Sequence, residues 1–220
     1  MGEIFRVLEN NFPEYLSGFL TTCRLVAVSF VIAMGVGLLV GALRVAPVKV
    51  LNRIGGIYVE FFRNIPLLVL IYIVFDGLNR AGLPLGPFVA GTLCLGLYTA
   101  AYVAEAVRSG VFAVGQGQFD AALSLGFTQR ETLIKIVLPQ AVRTVIPPLG
   151  NLIIAMTKNS AILGGSLLAI NDLLLNSRRI YNNNFKFFAT FVWAAIGYLI
   201  LTVAVTVIVR KLETRLVIKR

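Results

Sequence analysis

Histidine is absent from the 220 residues, and only two cysteines occur, Cys23 and Cys94, far apart and in apolar surroundings. The usual zinc ligand sets and a Cys–His nucleophile are therefore excluded. The two thiols read as small buried hydrophobes. Charge is scarce: 14% of residues ionise, against about 25% in an ordinary soluble domain. Acids number ten against twenty Lys and Arg. No acid cluster falls within the long apolar runs, so no catalytic set can be assembled there. There is no Gly-x4-Gly-Lys-Ser/Thr loop, and no Gly-Lys dipeptide at all, so nothing cradles a nucleotide phosphate. No internal repeat is evident. The first residues, MGEIFRVLENNFPEYL, carry Glu3, Glu9 and Glu14 ahead of any long apolar run, which does not fit a secretory signal peptide.

What fills the chain instead is apolar side chain, 58% of residues. One small core cannot hide that much, so lipid is the expected solvent. LVAVSFVIAMGVGLLVGAL (25–43) is uncharged and long enough to cross a hydrocarbon layer about 30 Å thick. The expected spans are 16–43, 55–78, 88–107, 140–170 and 187–209. Glu60, Arg63 and Pro66 interrupt the second; Pro147, Pro148, Gly150 and Lys158 interrupt the fourth. The reading is an all-α integral membrane protein, one domain over 1–220, with about five transmembrane helices.

Five spans put the termini on opposite sides. With the C-terminus inside, the inner segments hold Arg44, Lys49, Arg53, Arg108, Arg130, Lys135, Arg143, Arg210, Lys211, Arg215, Lys219 and Arg220. The outer segments hold only Arg6, Arg80, Arg178, Arg179 and Lys186. Basic residues are retained on the cytoplasmic side, so the orientation is N-out, C-in. The net charge of +10 is thus assigned to cytoplasmic loops and not to nucleic-acid binding.

One cytoplasmic stretch, about 115–139, is polar and helix-forming. Ala121, Ala122, Leu123 and Leu125 favour a helix from Gln118. Gly126 suits the left-handed residue that ends it. Thr128 and Glu131 are spaced as a capping box. A second helix follows, with Leu133, Ile136 and Val137 on one side, and Pro139 is expected to break or kink the path onward. The two alanines allow another backbone to come close. Two readings stay open on this ground alone: a docking element for a cytoplasmic partner, or a helix lying on lipid headgroups.

Asp120-Ala121-Ala122, three residues, Gly126, nine residues, Ile136, one residue, Leu138-Pro139 resembles the cytoplasmic signature of membrane subunits of binding-protein-dependent ATP-driven importers. The spacing matches throughout. The departure is Asp120, where that signature has Glu. FFRNIPLLVLIY (61–72), YTAAYVAEAVRSGVFAVGQGQ (98–118) and LGNLIIAMTKNSAIL (149–163) are similar to the polar amino acid branch. Arg44-Val-Ala-Pro-Val-Lys and Lys158-Asn159-Ser160 look most like glutamate uptake permeases. The resemblance implies the type I importer transmembrane fold with a cytoplasmic coupling helix in a bacterial plasma membrane. It implies three partners: ATPase subunits that bind ATP and Mg, a second permease subunit (identical or paralogous), and an extracytoplasmic amino-acid-binding protein. The chain itself then holds no cofactor. Asp120 would cap the docking helix or pair with a partner base, and Ile136, Leu138 and Pro139 would fix the segment to the membrane domain.

The ionisable and polar residues within spans are the candidates for a substrate pathway, because a charge at mid-membrane costs at least about 2.5–3.5 kcal/mol and must face a cavity or a partner. They are Glu60, Arg63, Asn64, Glu105 and Lys158, with Asn159 and Ser160 beside the last. Glu60 and Arg63 are three apart and can pair; so are Glu105 and Arg108. Alternatively Arg63 or Lys158 meets a substrate carboxylate, and Glu105 an amine or a gate. Gly35, Gly37 and Gly41 suit close helix packing. An ion-driven secondary transporter or channel could use the same charges, but it has no need of a paired-helix cytoplasmic motif.

Overall fold

The computed structural model describes residues 2–216, and every regular element in that range is helical. Lys219 and Arg220, counted above for orientation, lie outside the described residues. Helix α1, Gly2–Val45, is far longer than one bilayer crossing. Its first residues, which the sequence placed ahead of the first span, form a helical arm set off by a kink at Asn11 (φ −128°, ψ 20°), with Pro13 just beyond.

Helix α2 (Lys49–Asn64) and helix α3 (Leu67–Tyr72) are the two limbs of the expected second span. They meet at a 103° bend around Ile65 and Pro66, because proline offers no N–H and pushes the residue before it into extended geometry. Ile65 is extended, φ −101° and ψ 133°. A wide π-helical turn, Ile73–Gly77, and a short α4, Leu78–Arg80, complete the outer limb. Helix α5 runs Pro87–Phe112. Two short helices follow, α6 (Gln116–Ser124) and α7 (Gln129–Thr132). A second π turn, Leu133–Val137, leads into α8, Leu138–Asn159. Then come α9 (Ala161–Gly165), α10 (Leu173–Asn184) and α11 (Phe187–Leu216). Among the described residues four helices are long and apolar enough to cross a membrane, and the bent pair, counted as one span, brings the number to five. Pro147 and Pro148 were expected to break the fourth span, yet both lie inside continuous α8.

The centre of the molecule is α1 against α5. A Cβ on Gly37 would stand 2.6 Å from Val103 Cβ, one on Gly41 2.8 Å from Val107 Cβ, and one on Gly96 2.7 Å from Ile32 Cβ. Both helices advance in the same sense through these contacts, so they are parallel. Two parallel neighbours separated by one bent span fit the alternating crossings that the charge pattern demands. Gly35 takes no part: nothing lies within 4 Å of its Cβ position. The main core joins Leu25, Val26 and Ala33 of α1 to Leu67, Leu70 and Ile71 of α3 and to Ala90, Cys94 and Leu95 of α5. A second cluster, Val7, Tyr15, Leu173, Ile180 and Ala189, ties the amino-terminal arm to α10 and α11. Trp193 Nε1 donates to Ile4 O at 2.8 Å across the same joint.

Candidate functional site

Two regions carry the chemistry-bearing side chains. The first is the stretch between α5 and α8. Helix α6 ends in a Schellman motif: Phe127 N donates to Ala122 O (3.1 Å) and Gly126 N to Leu123 O (3.0 Å). Gly126 has φ +87°, where a residue with a Cβ is strained by roughly 1 kcal/mol or more. Two residues on, Thr128 Oγ1 accepts from Glu131 N at 3.2 Å, and Glu131 Oε2 accepts from Thr128 N at 3.1 Å. The capping box is complete. Lys135 Nζ donates to Glu131 Oε1 at 2.9 Å and stands 5.8 Å from the Phe127 ring centroid. The Lys135 ammonium and the Thr128 donors together hold the Glu131 carboxyl down at about 2. The corner is thus held by hydrogen bonds within its own sequence.

Several expectations change here. Helix α6 starts at Gln116 with Gly115 as its N-cap, so Asp120 lies a turn inside and cannot cap the helix start; it is exposed. The two alanines do not share a face. Ala121 is open, but Ala122 is 2% exposed, on a helix against which the π turn and α7 pack. Beyond the corner the buried residues are Thr132, Val137, Ala141 and Val145. The step of five from Thr132 to Val137 is the π turn; the later steps of four are ordinary helix. That shift rotates Leu133 and Leu138 outward, at 46% and 47% exposure. Ile136 is half-buried and Pro139 exposed. Val137, which the sequence did place on the inner side, anchors the segment in place of Leu138 and Pro139. Pro139 does not break the chain: the widened turn before it accommodates the ring, and α8 runs on.

The second region is a pair of adjoining cavities between the carboxy-terminal ends of α1 and α2 and the later turns of α5, the larger reaching the middle of α8. One, about 350 Å³, is lined by Arg44, Val59, Glu60, Arg63, Asn64, Tyr102 and Glu105. The other, about 550 Å³, shares Arg63, Tyr102 and Glu105 and extends to Thr144, Pro148 and Asn151. Glu105 is its electrostatic centre. Arg108 Nη2 reaches Glu105 Oε1 at 2.7 Å, as the spacing allowed, and Arg44 Nη2 reaches Oε2 at 3.2 Å. Arg63 does not pair with Glu60. Its guanidinium lies over the Tyr102 ring, 5.4 Å from the centroid, drawn across to α5 by the ring face and by Glu105. Asn64 Nδ2 donates to Glu60 O at 2.7 Å.

The structure therefore gathers Glu60, Arg63, Asn64 and Glu105, and adds Arg44, Tyr102 and Asn151, which no local pattern had marked. It separates Lys158, Asn159 and Ser160 from them. Lys158 is exposed, six residues or roughly 9 Å beyond Leu152 along α8, and Ser160 is buried, donating to Thr157 O at 2.7 Å. A further buried polar joint went unread: Asp172 caps α10 through Leu175 N (2.8 Å) and meets Tyr198 Oη at 3.3 Å. An Asp directly before LLL was the available N-cap signal.

Residues 33–218 match the family described as "Binding-protein-dependent transport system inner membrane component". The probable glutamine ABC transporter permease GlnM of Bacillus subtilis is 40% identical over 96% of this chain and 96% of its own length. The glutamate transport system permease GluC of Corynebacterium efficiens is 37% identical over 94% and 96%. Among solved structures, an amino acid ABC transporter crystallised with histidines superposes with TM-score 0.88 at 30% identity, covering 95% of this chain and 97% of that one. The MetNI methionine transporter in inward-facing form superposes with TM-score 0.64 at 20% identity, over 96% and 97%, a likeness of fold alone.

Proposed function

Because the chain belongs to the family of inner-membrane components of binding-protein-dependent transport systems, we propose that two such subunits, identical or paralogous, form one passage whose work is done by separate ATPase subunits. The chain is a multi-pass permease subunit of an ATP-driven amino acid importer and not itself an enzyme. The observation that carries the coupling role is the self-sufficient corner at Gly126 and Thr128, with Asp120 and Ala121 facing out on α6. A preformed, rigid, exposed helix is what a mechanical contact needs. The partner ATPase binds ATP and Mg, and its closure moves α6. ATP shifts the passage between two arrangements only in so far as it binds the closed ATPase pair more tightly.

The substrate class is a polar amino acid carried as glutamine or glutamate, handed over by an extracytoplasmic binding protein. In support, the relatives named for those substrates match nearly the whole chain, and the cavity offers both signs of charge with amide groups. Within it, Arg63 is the group to meet an α-carboxylate, since among the described residues no carboxylate lies within ion-pair range of it. Glu105 is already bridged by two guanidiniums and serves to fix α1 against α5. Lys158 to Ser160 belong to the outer end of α8.

The test is uptake of labelled glutamine and glutamate into vesicles holding this subunit with its ATPase and binding protein. ATP trapped on the cytoplasmic side is expected to drive uptake without a proton gradient. Uptake that follows the gradient and ignores ATP would overturn the reading.

A further inference from the structure

Lys49, Arg53, Gly56, Glu60 and Arg63 lie along one stripe of α2, at steps of four, three, four and three, and the first three have no part in the two cavities described above. Immediately beside it runs an apolar stripe of the same rhythm, Val50, Ile54, Ile57 and Phe61, exposed by 66%, 53%, 62% and 55%. The Lys49 end of the stripe opens on a cavity of about 660 Å³, which meets the smaller of the two described at Arg44 and Glu60 and is walled besides by Lys49, Asn52, Arg53 and Gly56 among others. Among the described residues neither Lys49 nor Arg53 has a carboxylate within ion-pair range. Arg44, whose Nη2 is held by Glu105, keeps Nε buried and without a partner. Helix α2 begins at this mouth with no side-chain cap on its first turn. Gly56 keeps the floor open, with only Arg44 Nη1 near its Cβ position, at 3.7 Å. The sole acid on the wall, Glu60, sits two turns, roughly 10 Å, along the helix from Arg53.

We infer that this cavity at the inner membrane surface is a binding site for the headgroup of an anionic phospholipid, with the acyl chains laid along Val50, Ile54, Ile57 and Phe61. Uncompensated cations with donor hydrogens suit a phosphate. They face the cytoplasmic leaflet, whose negative surface potential favours basic residues. The neighbouring exposed apolar stripe is what separates a lipid from free phosphate: inorganic phosphate satisfies the cations and leaves those four side chains uncovered. A bound lipid would wedge between α1 and α2 beside the Arg44–Glu105 bridge, and so would bear on how firmly the two helices are joined.

Native mass spectrometry and thermal unfolding of the full-length purified chain, in micelles doped with phosphatidylglycerol or phosphatidylcholine, test this. The wild type is expected to retain phosphatidylglycerol preferentially and to unfold at higher temperature with it. Lys49→Gln and Arg53→Gln are each expected to weaken that preference about fivefold, the factor for one basic residue near an anionic surface. Arg53→Lys keeps it. Gly56→Leu, which fills the floor without altering charge, is expected to lower retention while the lipid-free unfolding temperature reports whether the chain still folds. Equal retention of both lipids, or a double Gln variant that keeps the preference while folding normally, overturns the site. So does inorganic phosphate giving the same protection as the lipid, or the ATPase subunit shielding Cys-substituted positions 49 and 53 from labelling in lipid-free detergent.

Discussion

Ala121 and Ala122 are neighbours in sequence with opposite environments, and this separates docking from folding. Ala121→Glu is expected to leave the unfolding temperature of the permease unchanged while abolishing substrate-stimulated ATP hydrolysis in the assembled importer. Ala122→Glu drives a carboxylate into a buried position and is expected to lower the unfolding temperature of the chain by itself. Calorimetry and ATPase assays on the two variants give the comparison. The capping box supplies a prediction in pH. Glu131 titrates at about 2 in the folded chain, below the about 4.3 of a free side chain. Its contribution is therefore present above the unfolded value and is lost as pH falls from about 5 toward 2. Amide exchange at Thr128 and Glu131 is expected to accelerate over that range, and Glu131→Gln to flatten the dependence. Thr128→Ala is expected to weaken α7 by about 1 kcal/mol at neutral pH. These residues were legible because caps and corners are local: Gly126, Thr128 and Glu131 each act within four positions. The burial of Ala122, the outward face of Leu138 and the Arg44–Glu105 bridge were not, because each depends on packing or on a π turn that no short pattern specifies.

At the scale of elements, the α1–α5 seam and the break in the second span set the behaviour. Gly37→Ala puts a methyl 2.6 Å from Val103 Cβ and 2.9 Å from Ala100 O, and is expected to cost about 1–3 kcal/mol through forced separation of the helices. Gly35→Ala meets nothing and is expected to be neutral or slightly stabilising, by up to about 1 kcal/mol of helix propensity. Thermal unfolding distinguishes them. The bend at Ile65 and Pro66 frees backbone carbonyls within the span, and irregular backbone at that depth is tolerated only where it is buried in protein or lines a wet cavity. A cysteine at Asn64, in a chain without Cys23 and Cys94, is expected to react with a membrane-impermeant maleimide in detergent-free vesicles opened on the inner side. One at Val31, 70% exposed on α1, is expected to stay unlabelled in lipid. The existence of five crossings followed from hydropathy and length. The 103° angle between the limbs did not: the interruption at Pro66 was visible, but its size is set by how α3 seats in the core.

For the whole molecule, the orientation is the property on which docking, lipid binding and substrate entry all depend. A cysteine at Arg130 is expected to be labelled only from the cytoplasmic side, and one at Asn182 only from the outside. The reverse pattern would put the coupling corner on the wrong face of the membrane. The expectation rests on charge asymmetry, because basic residues are sorted by side whatever the fold between them. Which charges would meet one another across helices was beyond reach of the sequence. Glu60 and Arg63 satisfy the helical spacing for a pair, yet Arg63 is better placed over Tyr102.

The glycine seam has a mechanical corollary. Ile32, Gly37 and Gly41 interlock with Gly96, Val103 and Val107 at backbone range, and the Arg44–Glu105 bridge bolts the same two rods at their lower end. Such a keel cannot shear without breaking contacts at every step. Any stroke delivered through α6 must then be absorbed in the joints on either side of it, at the widened turn 133–137 and the elbow at 65–66, while the keel stays still.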